Sequence, residues 1–279
     1  MINSSVERLH SIYPLESPAA LPNLGINLNS PTVQKDANGH KISVEWAKNL
    51  DQVRAAQRLR YQVFTEDMGA KFPKACGSYD IDLFDDFCEH LIVKDLETEE
   101  VIGTYRLLTP AQAERVGSTY FETEFDMTRL RGLRKRMVEL GRSCVHPEHR
   151  HGGVIMALWG ELFKFMKRNN LDTMIGSASI PMLKHDLNME VAAQVWSYVK
   201  SRHMASIDFH VRARSPLQLQ CVPTDSDIEL PSLIKAYLRL GAKVIGSPAW
   251  DPNFNTVDLP MMMRVADLKP KYHKHLLGA

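Results

Sequence analysis

Glu139-Leu140-Gly141-Arg142-Ser143-Cys144-Val145-His146-Pro147 runs directly into Glu148-His149-Arg150-His151-Gly152-Gly153. Val138 to Val145 reads as a strand that His146-Pro147 terminates. The glycines then open an apolar helix from Val154 to Met166. A strand, a tight turn and a helix N-terminus make an anion site, because unpaired backbone N–H groups and the positive dipole end converge there. Strict alternation places Glu139, Gly141 and Ser143 on one face, and Leu140, Arg142 and Cys144 on the other. Glu139 suits removal of a proton from an attacking amine, directly or through water, if burial raises its pKa toward neutrality. The competing reading is a strand carboxylate paired with Arg142 or Arg106. Cys144 has no His and Asp set nearby, so a buried inert thiol is expected.

Two further groupings carry charge. Asp80-Ile81-Asp82-Leu83-Phe84-Asp85-Asp86 crowds four carboxylates into a short loop. The D-x-x-D spacing of Asp82 and Asp85 is weak evidence for a metal, and none is assigned. Holding the amine of a positively charged substrate is the better use. Arg106, inside the apolar strand Gly103 to Leu108, and Arg60, inside a helix, need carboxylate partners, since an unpaired buried charge is very costly. Asp82, Asp85 and Glu139 are the candidates. The basic run Arg129, Arg131, Arg134, Lys135 and Arg136 is either a solvated face or a landing surface for an acidic protein, a phosphate or anionic lipid.

The elements that must position these groups follow from periodicity. Residues 1–40 hold Pro14, Pro18, Pro22 and Pro31 and read as an irregular arm. Residues 41–279 read as a single domain. Strands are expected at 41–46, 91–95, 101–108, 138–145, 173–178, 243–245 and 256–265. Helices are expected at 51–68, 154–168, 188–203 and 231–240. Segments 69–87, 117–135 and 206–221 read as irregular, and 269–275 as a basic tail. Strands and helices intermingle, which predicts one mixed α/β domain. Met261-Met262-Met263 reads as closing-strand core, although methionines also line adaptable acyl tunnels.

Bulk properties exclude several classes. The chain has 279 residues, 44% hydrophobic, with a formal net charge of +1, which argues against nucleic acid as the main partner. Cys76, Cys88, Cys144 and Cys221 lack C-x-x-C spacing, so neither a zinc ribbon nor a disulfide framework is suggested. No apolar run reaches the roughly 20 residues of a spanning helix. A cytoplasmic protein, with peripheral contact at the inner membrane face, is the expectation.

The order Arg60-Tyr61-Gln62-Val63-Phe64, Asp82-Leu83-Phe84-Asp85, Gly103-Thr104-Tyr105-Arg106-Leu107 and Glu139-Leu140-Gly141-Arg142 resembles acyl-homoserine-lactone autoinducer synthases. Those belong to the GCN5-related N-acyltransferase (GNAT) superfamily. The chain is more similar still to the L-ornithine Nα-acyltransferases of bacterial ornithine lipid synthesis. That likeness runs through Gly141 to Pro147, Ile175 to Ser179, Leu230-Pro231 to Gly241-Ala242, and Pro248 to Thr256. It implies a GNAT-like α/β fold, a mixed, twisted sheet with splayed central strands flanked by helices, plus a C-terminal extension. It also implies transfer of a 3-hydroxyacyl chain from acyl carrier protein to the α-amine of L-ornithine, with no permanent cofactor beyond the donor's 4'-phosphopantetheine. Glu139, Arg142, Asp82 and Asp85 would then serve catalysis. Arg60, Phe64, Arg106, Ser143, Cys144, Val145, Arg150, Gly152 and Gly153 would hold the acyl donor, and the basic run at 129–136 would dock the carrier. Ile155 stands where acetyl-CoA-using relatives carry a small residue at the pyrophosphate turn, which favours a donor lacking a pyrophosphate. The competing readings are another amino acid acceptor, such as glycine, glutamine or tyrosine, and a non-catalytic membrane-binding protein.

Overall fold

The computed structural model describes residues 26–36, 38–182, 185–223 and 228–277. Most of the proline-bearing arm, 1–25, lies outside them. In chain order the elements are β1 (Thr32–Lys35), β2 (Lys41–Trp46), α1 (Leu50–Met68), β3 (Glu89–Asp95), β4 (Val101–Leu108), α2 (Pro110–Val116), α3 (Phe121–Glu124), β5 (Phe125–Asp126) and β6 (Met137–Val145). They continue with α4 (Gly153–Arg168), β7 (Thr173–Pro181), α5 (His185–Arg202), β8 (Arg212–Ala213), α6 (Ser232–Leu240), β9 (Lys243–Val244), β10 (Ala249–Asp251), β11 (Thr256–Arg264) and α7 (Pro270–Leu277). The main sheet has the order β1-β2-β3-β4-β6-β7-β11-β10, with β9 also pairing β11.

Several short elements differ from the sequence expectation, among them α3, β5 and β8 in segments read as irregular. The end of the arm is an edge strand, β1, paired antiparallel to β2. The Thr109-Pro110-Ala111-Gln112 stretch starts α2 with a capping box, a signal readable in the sequence. β10 pairs β11, and the basic tail winds into α7. Each is too short, or too dependent on its neighbour, for periodicity to reveal.

Only β6 and β7 pair in parallel on the main path, linked through α4 as crossover. Their ladder holds Met137 to Thr173, Val138 to Met174 and Glu139 to Ile175, and among the described residues the two strands continue without pairing beyond it. Gly176 marks the parting point. A Cβ there would lie 2.3 Å from the Leu140 carbonyl oxygen, so only glycine lets the two backbones come this close before they diverge.

Helix α1 covers one face of the sheet and α4 the other. Leu59, Val63 and Phe64 of α1 pack around Cys144, whereas Val154 and Leu158 of α4 sit against Gly103. Asn49 caps α1, its side chain accepting from the Gln52 N–H at 3.0 Å, and Gly69 in the left-handed region ends it. The main core gathers Trp46, Leu91, Leu107, Leu158, Phe165 and Leu259 between α4 and the sheet.

Candidate functional site

The site is organised by a closed ring of alternating charge. Arg60 Nε meets Asp80 Oδ2 at 2.8 Å, and that carboxylate also takes Arg142 Nε at 3.0 Å. Arg142 Nη2 reaches Asp82 Oδ2 at 2.9 Å, and Asp82 Oδ1 takes Arg106 Nη1 at 2.7 Å. Arg106 then approaches Asp85 at 3.3 Å, and Asp85 returns to Arg60 at 2.8 Å. The ring bolts α1, the acidic loop, β4 and β6 together. Arg60 is 0% exposed, so its charge depends on these partners. Burial works to raise the Asp82 and Asp85 carboxyls, but the arginines beside them together prevail and hold both below the usual range. His90 touches the Asp85 carbonyl at 3.1 Å, and burial lowers it to about 4, so it stays neutral at pH 7.

The ring supplies the aspartate partners expected for Arg60 and Arg106. Asp82 and Asp85 spend their charge on arginines of their own chain rather than facing a substrate amine. Arg60 and Arg106 are likewise enclosed, and neither lines the cleft described below. Asp80, not singled out in the sequence beyond its place in the acidic loop, holds two of the three arginines.

The strand alternation expected for 139–145 also fails, for a local reason. Between Thr104 and Arg106 of β4 the partner residues on β6 jump from Cys144 to Gly141, which inserts an extra residue into β6. Arg142 takes the left-handed conformation there, with φ of 52°. Its guanidinium is sandwiched between the Tyr120 and Phe254 rings, 4.4 Å from each centroid. The bulge brings Arg142 to the wall of the same cleft as Glu139.

That cleft is lined by Phe64, Tyr120, Glu124, Glu139, Arg142, Ser143, Ser177, Ser179, Asp251, Phe254 and Asp258, among others. Glu139 is buried and makes no ion pair with Arg142 or Arg106 among the described residues. Instead Oε1 accepts from the Phe121 N–H at 2.8 Å and Oε2 from the Tyr120 N–H at 2.9 Å. Burial pushes its carboxyl up to about 7, against the pull of Arg106 and of those two N–H groups. A carboxylate held in place, with a pKa near working pH, is suited to accept a proton.

Beside this polar cleft lies an apolar cavity between α4, α6 and the diverging strands. Trp159, Leu162, Phe163, Met174, Ala178 and Met261 to Met263 supply its walls, so the methionine triplet is both core and cavity lining. Tyr105, Leu140, Ser177 and Tyr237 line both spaces. The Tyr105 and Tyr237 hydroxyls meet at 2.5 Å at this junction. The two spaces meet where β6 and β7 part.

The remaining expected donor contacts are dispersed. Phe64 and Ser143 line the cleft, but Cys144 packs against α1 and burial raises its thiol, as an inert cysteine should. Val145 packs on the main core. Arg150 is tied to the Val145 carbonyl at 3.0 Å and to Asp67 at 2.6 Å. Gly152, with φ of 89°, is the N-cap of α4 and Gly153 its first residue. Arg129, Arg131, Arg134, Lys135 and Arg136 are exposed on a 3-10 segment, Thr128–Arg136. Arg134 pairs with Glu122 and Arg136 with Asp172, while Arg131 and Lys135 have no partner among the described residues.

Sequence reasoning missed Glu124, Asp251 and Asp258, whose carboxylate oxygens lie within 4.8 Å of one another on the cleft wall. A second group with that spacing, Asp36, His40 and His149, lies away from the cleft. The signal for Asp258 was present: a lone carboxylate inside the apolar strand Thr256 to Arg264, as conspicuous as Arg106 in β4.

Comparison with known proteins fits this architecture. Residues 59–160 match the acetyltransferase (GNAT) domain family. The L-ornithine N(alpha)-acyltransferase of Rhodobacter capsulatus is 32% identical over 244 residues, 83% of this chain and 93% of the relative. The L-ornithine N(alpha)-acyltransferase of Brucella abortus is 33% identical, covering 83% of this chain and 87% of the relative. Among solved structures, the AHL synthase LasI superposes with a TM-score of 0.49 at 14% identity over 86% of this chain and 97% of that one. With a GNAT-type sheet parted over a carboxylate-lined cleft, and relatives this similar over most of their length, the chain is an acyltransferase and belongs to the L-ornithine N(alpha)-acyltransferase family.

Proposed function

We propose that the protein transfers a 3-hydroxyacyl chain from acyl carrier protein to the α-amine of L-ornithine, yielding a lyso-ornithine lipid. The acceptor follows from what the relatives are named to act on. The observation that carries the chemistry is the junction of the apolar cavity with the carboxylate-lined cleft at Tyr105, Leu140, Ser177 and Tyr237. An acyl chain in the first and an amino acid in the second would bring thioester and amine together at the parting of β6 and β7. Backbone N–H groups on the edge of β6 that faces the parting strands would polarise the thioester carbonyl. The amine attacks the carbonyl carbon, its proton passes to Glu139 directly or through water, and the thiolate leaves as the C–S bond breaks. Holding two substrates in this geometry supplies much of the rate. The donor's single phosphate would meet the N-terminus of α4 near Gly152 and Gly153. Among the described residues no helix is long and apolar enough to cross a membrane. An acyl product this apolar nonetheless favours peripheral contact with one.

The test is direct. Purified protein, 3-hydroxyacyl carrier protein and L-ornithine should give an N-acylornithine by mass spectrometry, with the label retained from [15N]-α-ornithine in the amide. An amide on glycine, glutamine or tyrosine, with none on ornithine, would replace the acceptor. Absence of any acylated amine would remove the reading.

A further inference from the structure

The triad Glu124, Asp251 and Asp258 has no described counter-charge. The acidic loop balances three aspartates with three arginines, yet no salt bridge joins the triad to any described residue. Arg142 is nearest in influence, but it is committed to Asp80 and Asp82 and clamped between two rings. Neutral groups satisfy only part of the triad. Ser177 donates to Glu124 at 2.8 Å and the Tyr120 hydroxyl to Asp251 at 3.4 Å. Asp251 Oδ1 takes the Asn253 and Phe254 N–H groups at 2.8 and 3.1 Å.

Asp258 provides a separate sign of an absent partner. It is 3% exposed, and its Oδ1 makes no hydrogen bond. The Thr256 hydroxyl, on the same strand and fully buried, is also unpartnered. Burial and the nearby Asp251 push the Asp258 carboxyl up to about 6, and burial lifts Glu124 well above its ordinary value. The Ser179 and Thr256 hydroxyls lie near enough to offset part of the rise at Asp258 without closing a bond on Oδ1. A buried acceptor left open is destabilising, so a donor arriving there is strongly favoured.

Three carboxylate oxygens converging within 4.8 Å match one primary ammonium, which carries three N–H donors around a point charge. A planar guanidinium fits such a tripod less well. Tyr120 links this place to Glu139: its backbone N–H binds Glu139 and its hydroxyl binds Asp251. The two carboxylate centres are thus joined through one tyrosine and line the same cleft, where one short diamino acid could present an amine to each.

We propose that Glu124, Asp251 and Asp258 form a subsite for the side-chain ammonium of a short diamino acid acceptor, leaving its α-amine beside Glu139. This rests on the acyl-transfer reading above. It explains selection of the α-amine: the side-chain amine, held protonated by three carboxylates, has no lone pair to attack with.

The experiment compares L-ornithine with L-norvaline, which has the same three-carbon side chain without the amine, at saturating acyl donor. Wild type should prefer ornithine in kcat/KM, and Asp258→Asn and Glu124→Gln should each reduce that preference by about tenfold or more through the ornithine KM. Glu124→Gln, at the least buried member of the triad, serves if Asp258→Asn does not fold. Parallel loss on both acceptors, or an unchanged preference, would overturn the subsite while leaving ornithine acylation intact. Calorimetric binding of L-ornithine without donor separates the two ideas. Triad-dependent binding without acylation would sink the transfer reading and keep the subsite. Wild-type turnover that requires Mg²⁺ or Ca²⁺ and is abolished by EDTA, with the requirement lost in the variants, would make the triad a metal site instead.

Discussion

Glu139 differs from the buried carboxylates of the charge ring in having backbone N–H groups, not guanidinium ions, as partners. Its carboxyl sits at about 7 because burial outweighs them, so the basic form gains population as pH rises through neutrality. Turnover should climb with an apparent pKa near that value, and Glu139→Gln should lose about two to four orders of magnitude in kcat together with that limb of the profile. The folded value lies above the unfolded one, so this carboxyl costs stability that grows between about pH 4 and 7. The melting temperature of Glu139→Gln should be correspondingly flatter over that window. Asp85 is the opposite case. Asp85→Asn strips Arg60 and Arg106 of a shared partner and should cost about 3–5 kcal/mol of stability in denaturant titration, with little change in acceptor KM. A raised KM at full stability would return Asp85 to the substrate.

At the scale of elements, catalysis depends on where β6 and β7 part. Gly176 sets that point, since its missing Cβ leaves room for the Leu140 carbonyl. Gly176→Ala must shift backbone rather than a flexible side chain, and overpacking of this kind costs about 1–3 kcal/mol. The same shift moves the wall shared by cleft and cavity, so donor KM should rise along with the loss in melting temperature. A variant as stable as wild type with unchanged donor KM would show that the strands part independently of this residue.

Over the whole molecule, a net charge of +1 conceals a local excess on the 3-10 segment before β6. Arg134 and Arg136 are ion-paired there and Arg129 donates to the Ile207 carbonyl, which leaves Arg131 and Lys135 as the positive side chains facing solvent with no partner among the described residues. If this face receives an acidic carrier protein, the double variant Arg131→Glu, Lys135→Glu should raise KM for the acyl-carrier thioester several-fold and spare residual acyl-CoA turnover. The effect should fade above physiological ionic strength, where the Debye length falls below about 8 Å. Equal response of both donors would leave the segment as a solvated surface.

Local patterning determined much of this protein. Period and caps placed α1, α4, α6 and the long strands, because each buries a face that repeats at a fixed spacing. Isolated charges in apolar segments marked Arg60 and Arg106, because such charges must find partners. Asp258 carried the same mark in β11. Which partners they find was decided only by the tertiary structure. Residues 60, 80, 82, 85, 106 and 142 meet through a loop, a helix and two strands, and no spacing rule joins them. The bulge at Arg142 overturned the expected alternation, since one inserted residue reverses every side chain beyond it. Glu124, Asp251 and Asp258 converge from α3, β10 and β11, and only sheet pairing brings them to one wall of the cleft.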